Sequence, residues 1–141
     1  MRFWDTSALV PLVLKQRESE RVVALAASDD AIAVWWGTTV EVHSAVSRLG
    51  RIGELDEAKA DEALRELSGL LGLASEIDPS AAMRSVACRI ALVHALSAAD
   101  ALQLAAALVW TDRNPSGVGF VCLDRRLCEA ARREGFAVLP R

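Results

Sequence analysis

Apolar and polar positions fall in blocks along this chain, and the period of the blocks switches repeatedly between that of a strand and that of a helix. Arg2-Phe3-Trp4 is a short, largely apolar stretch ending at Asp5, and Thr6 to Val10 opens a helix that Pro11 is expected to end or kink. Between Ser19 and Ala27 the apolar Val22, Val23 and Ala26 stand among charges, which predicts an amphipathic helix. Ala31 to Trp36 is apolar without interruption, the pattern of a strand covered on both faces. Gly37-Thr38-Thr39 opens a helix that carries Glu41 and runs to about Leu49, with Gly50 and Gly53 breaking it. Ala60, Ala63, Leu64, Leu67, Leu70 and Leu71 recur at helical spacing, with Asp56, Lys59, Arg65 and Glu66 between them, so Leu55 to Leu71 is predicted as an amphipathic helix.

Leu73 to Ile77 is a candidate short strand, and Asp78-Pro79 joins an N-cap residue to a proline at the first helical position, predicting a helix from there to about Leu96. Ser97 caps a segment, Ala98 to Trp110, that is apolar on nearly every face except at Asp100 and Gln103, the pattern of a buried helix. After the polar loop Thr111 to Gly117, Val118 to Leu123 reads as a strand ending at Asp124. Arg125 to Glu134 is helical, Gly135 stops it, and Phe136 to Leu139 is the last strand. Strands alternating with helices predict an α/β fold, a central parallel sheet of about five strands between layers of helices, with ligands at the carboxyl ends of the strands. No internal repeat or linker divides the chain, and its 141 residues form one expected domain, 1–141.

Composition narrows the classes. A hydrophobic fraction of 52% against 25% charged residues excludes disorder, and no apolar run approaches the roughly 20 residues needed to span a bilayer. A carboxylate at position 5 interrupts the apolar core that a secretory signal would need, so a cytoplasmic location and no membrane partner are expected. Cys88, Cys122 and Cys128 lack metal-type spacing and read as buried free thiols. With 16 basic and 19 acidic side chains the formal charge is -3, so any hold on nucleic acid must be local or helped by bound cations.

Four carboxylates carry the candidate chemistry. Taken singly, each is explained by helix capping: Asp5 and Asp124 stand where an N-cap belongs, while Glu41 follows Thr38 by three residues and Asp100 follows Ser97 by three, the capping-box spacing. Together, two strand exits, a helix start and a nearly all-apolar helix deliver acids toward one edge of the sheet. Asp100 is surrounded in sequence by Ala98, Ala99, Ala101, Leu102 and Leu104, where an unpaired charge costs several kcal/mol, and no lysine or arginine lies between Ile90 and Asp112. Clustered carboxylates without soft ligands suit a hard cation such as Mg²⁺ or Mn²⁺.

These residues occur in a familiar order. Asp-Thr-Ser-Ala-Leu at 5 to 9, Thr39-Val40-Glu41-Val42 opening a helix, Ala99-Asp100-Ala101-Leu102-Gln103-Leu104-Ala105, and Leu123-Asp124-Arg125-Arg126-Leu127 resemble a PIN domain, specifically a VapC-type toxin of a toxin-antitoxin pair, along the whole chain. The resemblance implies a PIN-like three-layer sandwich and an acidic pocket of Asp5, Glu41, Asp100 and Asp124 holding one or two Mg²⁺ or Mn²⁺ ions, with Asp5 and Asp100 the firmest metal positions. It implies an endoribonuclease in which a metal-activated water attacks the phosphodiester phosphorus in line, leaving 5'-phosphate and 3'-hydroxyl ends. It further implies a homodimer and a cognate VapB-type antitoxin threading into a groove that leads to the pocket. Two departures stand out: Cys122 occupies a position where relatives often have threonine or serine, expected to affect the Asp124 side of the site, and Ser97 stands where a basic residue is frequent.

Arg48 shares a helix face with Glu41, and Arg125 and Arg126 directly follow Asp124, so these three are candidate contacts for RNA phosphates. His43 lies about 200° around its helix from Glu41, and neither it nor His94 supports metal-free acid-base cleavage; both read as surface or boundary residues. Trp4, Trp35, Trp36 and Trp110 are expected in the core or at a dimer interface. The Leu55 to Leu71 helix and the early helices are the expected place for self-association or an antitoxin groove. The alternatives are a non-catalytic PIN-type binding module, which the presence of all four acids argues against, and a receiver-like Mg²⁺-dependent phosphotransfer protein. The latter needs a lysine after a late strand, and the only lysines are Lys15 and Lys59.

Overall fold

The computed structural model describes residues 1–29 and 31–141. Its elements, in chain order, are β1 Arg2–Trp4, α1 Thr6–Val13, α2 Ser19–Ala27, β2 Ile32–Trp35, α3 Thr38–Arg51, α4 Glu57–Leu71, β3 Ser75–Ile77, α5 Ala81–His94, α6 Ala98–Trp110, β4 Gly119–Val121, α7 Arg125–Arg133 and β5 Ala137–Leu139. The five strands form one sheet in the order β3-β2-β1-β4-β5, and every pairing is parallel. From β1 the chain builds outward on one side through β2 and β3, then crosses back to build β4 and β5 on the other. The order therefore turns between β1 and β4, which is where an open α/β sheet leaves a crevice at its carboxyl edge.

Successive strand residues point to opposite faces, and each face has its own core. Phe3, Ala33, Trp35 and Phe120 face α5, α6 and α7, with Phe3 stacked on Phe120 at 5.4 Å between ring centroids. Trp4, Ile32, Val34 and Val121 face the opposite layer, with Leu9, Val22, Val42 and Leu67 of α1, α2, α3 and α4. The three layers expected from the strand and helix alternation are thus in place. Ile90 of α5 is fully buried in the first core, and Ile90→Val is expected to lower the unfolding free energy by about 1 kcal/mol in a denaturant titration, the usual result of deleting one buried methylene.

Several boundaries differ from the sequence expectation. α1 continues through Pro11 to Val13; the proline forgoes one ladder hydrogen bond near the helix end, and burial of Leu9, Val10 and Pro11 offsets it. α3 runs past Gly50 to Arg51, and the turn that ends it is completed by Gly53, whose φ of +77° is a conformation glycine adopts without strain. The cap of α5 is Ser80, which accepts the Met83 amide, rather than Asp78 with Pro79 at the first position. Trp36 lies just beyond β2 and is 51% exposed, not in the core, and Cys88 is exposed while Cys122 and Cys128 are buried. Among the described residues no helix is long and apolar enough to cross a membrane.

Candidate active site

At the turning point of the strand order the chain leaves β1 and β4 at the same edge, and each exit delivers an aspartate. Asp5 is the N-cap of α1, accepting the Ser7 amide at 3.0 Å. Asp124 is the N-cap of α7, accepting the Leu127 amide at 2.8 Å. One hydroxyl joins the two turns: Ser7 Oγ donates its proton to Asp5 Oδ2 and accepts the amides of Leu123 at 2.9 Å and Asp124 at 3.3 Å.

The other two acids come from helices on the two sides of the sheet. Glu41, half-buried in the first turn of α3, accepts at Oε2 from Thr6 Oγ1 at 3.0 Å and from Gln103 Nε2 at 3.1 Å. Gln103 belongs to α6, one turn beyond Asp100. Asp100 accepts Ser97 Oγ at 2.8 Å, and the same oxygen accepts the Asp100 amide at 3.2 Å, a closed capping arrangement. Asp100 is not enclosed by apolar neighbours as its flanking sequence implies. Ala98 and Ala99 are exposed, because α6 presents its first turn to solvent and sinks into the core only from Ala101 onward.

Asp5 is the acid that is buried, at 4% exposure. Burial raises its carboxyl from the ordinary 3.8 to about 6; the hydrogen bonds from Ser7 oppose the rise and the negative charge of Glu41 adds to it. Two other carboxylates with little-exposed side chains have cationic company. Asp29, with a side chain 2% exposed, lies 3.9 Å from Arg2 Nη1 and accepts Trp4 Nε1 at 3.1 Å. Glu134 is gripped by both terminal nitrogens of Arg89, which with His94 holds its carboxyl below the usual range. Among the described residues, no lysine, arginine or histidine forms an ion pair with Asp5, Glu41, Asp100 or Asp124.

The structure brings Asp5 and Glu41 within electrostatic reach, links Asp5 to Asp124 through Ser7, and links Glu41 to the helix of Asp100 through Gln103. Among the described residues it does not draw three Asp, Glu, His or Cys side chains into one ion-holding group. Cys122 faces Asp5 rather than the carboxylate of Asp124: its thiol lies 3.6 Å from Asp5 Oδ2, and toward Asp124 it reaches only the backbone oxygen, at 3.5 Å. Contact with Cys128, burial and the charge of Asp5 all push the Cys122 thiol upward, so it remains a proton donor. Arg125 and Arg126 are exposed in the first turn of α7, directly after Asp124, and Arg48 is exposed near the end of α3, two turns beyond Glu41. His43 is exposed, and His94 is bound to Glu134 at 2.6 Å, so neither histidine serves the acids.

A scan against protein-family models finds no match. Two curated relatives, ribonuclease VapC45 and ribonuclease VapC49 from two strains of Mycobacterium tuberculosis, are each 30% identical to this chain over 138 residues, covering 98% of this chain and 94% of theirs. The chain belongs to the VapC ribonuclease family.

Solved structures agree on the VapC fold. FitAcB from Neisseria gonorrhoeae superposes with a TM-score of 0.66 at 21% identity, covering 99% of this chain and 97% of its own. VapC20 of Mycobacterium tuberculosis, titled a sarcin-ricin loop cleaving toxin, superposes at 0.64 with 18% identity, covering 92% of this chain and 95% of its own. A toxin-antitoxin complex from Klebsiella pneumoniae superposes at 0.63 with 18% identity, covering 88% and 87%. In this VapC chain the acids stand out in the sequence, whereas Thr6, Ser7 and Gln103, which hold them, and Thr38, which touches Gln103, are less legible. Gln103 had the clearest signal available, as the one uncharged polar side chain on a helix otherwise apolar beyond its first turn.

Proposed function

We propose that this VapC chain is a Mg²⁺- or Mn²⁺-dependent endoribonuclease acting as the toxin of a toxin-antitoxin pair. The observation that carries the reading is Asp5: a buried carboxylate beside a second acid, held by neutral donors, with no cationic side chain paired to it among the described residues. An acid kept in such a place at a cost to stability is explained by a cation that arrives from solution. The donors on offer are carboxylate and hydroxyl oxygens, which fit a hard divalent ion and not a soft one.

Asp5, Glu41, Asp100 and Asp124 would hold the ion. When bound, it supplies charge neutralisation at the scissile phosphate and activation of the attacking water. The chain's own part is to fix its acids beforehand. Ser7 orients Asp5 through Oδ2, Thr6 and Gln103 orient Glu41 through Oε2, Ser97 pins Asp100 and the Leu127 amide pins Asp124. Arg48, Arg125 and Arg126, exposed on the helices that carry Glu41 and follow Asp124, would meet RNA phosphates. The double variant Arg125→Ala/Arg126→Ala is expected to raise KM several-fold and to flatten the salt dependence of binding by about two charges, measured as log Kd against log salt.

For the antitoxin, the groove of about 460 Å³ between the end of α1, the end of α3 and α4 supports a peptide site, lined by Val13, Leu14, Leu49 and Ala63 and edged by Lys15 and Glu66. The lysines that a receiver-like protein would need at its phosphoryl site line this groove. Incubation with a structured RNA containing accessible single-stranded segments is expected to give cleavage with Mn²⁺ or Mg²⁺ and none in excess EDTA. Undiminished cleavage in EDTA, with contaminating nuclease excluded, would falsify the metal role. Expression alone is expected to arrest growth and co-expression of the adjacent gene product to relieve it; unimpaired growth with soluble, metal-competent protein would sink the toxin role.

A further inference from the structure

Four polar residues are buried as whole residues among those described: Asp5, Thr6, Thr38 and Gln103. Three of them form a single network behind Glu41, and the fourth is the acid next to Thr6. Gln103 is the centre of that network. Fully buried on α6, it places Nε2 at 3.0 Å from Thr6 Oγ1, 3.3 Å from Thr38 Oγ1 and 3.1 Å from Glu41 Oε2, so one amide nitrogen touches α1, α3 and the carboxylate at once. The amide has two protons for three acceptors, while its own oxygen, Oε1, is buried and finds no donor.

That imbalance is informative. Turning the amide over would let Oε1 accept from Thr38, the one Thr6 proton being already given to Glu41, and would leave fewer buried groups of Gln103 without a partner. It would also aim oxygen lone pairs at the carboxylate of Glu41. The orientation present satisfies Glu41 and leaves Gln103 itself incomplete, so the network is arranged around the acid. We propose that Gln103 is the positioning residue for Glu41, donating to Oε2 together with Thr6 so that Oε1 of the carboxylate is presented in one fixed place for the ion and substrate. Because α6 also carries Asp100 one turn earlier, the same hydrogen bond fixes the spacing between the α3 acid and the α6 acid. The role assigned to the fixed carboxylate rests on the metal-dependent nuclease reading; the fixing itself does not.

Gln103→Met, similar in length and volume and without a donor, separates positioning from packing. In its crystal structure the Glu41 carboxylate is expected to leave its wild-type place. The half-saturating Mn²⁺ concentration in thermal melting is expected to rise about tenfold, and kcat on RNA to fall about 10- to 100-fold with KM within about threefold, the range seen when a supporting partner of a liganding side chain is removed. An unmoved Glu41, with kcat and the Mn²⁺ midpoint of the folded protein unchanged, overturns the proposal, and a lowered melting temperature alone is the mark of a packing role. Should the methionine variant not fold, Thr6→Val removes the other proton given to Oε2 and is read by the same three measurements. A wild-type protein that cleaves no RNA with either ion defeats the nuclease reading, and the position of Glu41 in the variant still decides whether Gln103 fixes it.

Discussion

Asp5→Asn is expected to reduce RNA cleavage by about 10²- to 10³-fold while making the metal-free protein more stable than wild type. The loss follows from removing the buried member of the proposed ion-holding set, where one preorganised charge contributes on the order of 3 to 4 kcal/mol to the transition state. The stabilisation follows from linkage. The Asp5 carboxyl rises from 3.8 when unfolded to about 6 when folded, so between those values the native state binds the extra proton. The stability this confers is complete below pH 3.8, declines as pH rises through the window and is gone above about 6, leaving the ionised acid at a disadvantage of about 3 kcal/mol at neutral pH. Asparagine keeps the shape and has no charge to lose. In EDTA at pH 7.5 the variant should melt several degrees above wild type, and the gap should close as pH is lowered toward 4. Adding Mn²⁺ should stabilise wild type and not the variant. An Asp5→Asn protein that melts with wild type at every pH, or that still responds to Mn²⁺, would remove Asp5 from the centre of the site.

Asp100→Asn is expected to behave differently, because its surroundings differ. Asp100 lies half-buried in the first turn of α6, where its charge interacts favourably with the helix dipole and its oxygen is held by Ser97. Removing that charge should cost stability of about 0.3 to 1 kcal/mol, whereas the burial argument from sequence alone implies no loss. Cleavage should nonetheless drop by about 10²- to 10³-fold. Ser97→Ala provides the comparison, since loss of the cap costs about 1 kcal/mol by itself. If Asp100 does no more than assist that cap, the two variants will be equally destabilised and the folded fraction of Asp100→Asn will cleave as wild type does. Melting curves and one cleavage assay on folded Asp100→Asn separate the cases.

Much of this architecture can be read from residues, and the exceptions have physical reasons. β2, α2, α4 and α6 follow their apolar periodicity closely, since burial on both faces or along one stripe leaves a strong trace in sequence. Boundaries fail where a local breaker is outvoted by packing, as at Pro11 and Gly50, or where two capping residues compete, as at Asp78 and Ser80. The burial expected of Asp100 is not found: flanking alanines and leucines suggest it, while the acid that lies deep is Asp5, enclosed by residues such as Cys122 that are 117 positions away. Local sequence reports the neighbours of a residue along a helix, not what the sheet brings over it. The same reason hides Gln103 and Ser7, whose partners lie across the fold.

The strand order also sets when this site can come into being. β1 is the first strand made and sits in the middle of the sheet, while its neighbour β4 is among the last. The Ser7 hydroxyl that orients Asp5 accepts its amides from residues 116 and 117 positions later. Contacts of such long range form late, after shorter loops have closed. During synthesis Asp5 emerges early and stays without its enclosure until β4 is released to pair beside β1. A chain of this ribonuclease family that has not yet made β4 therefore holds Asp5 at the end of an unpaired strand edge, and the centre comes into being in one late step, when the two strands meet.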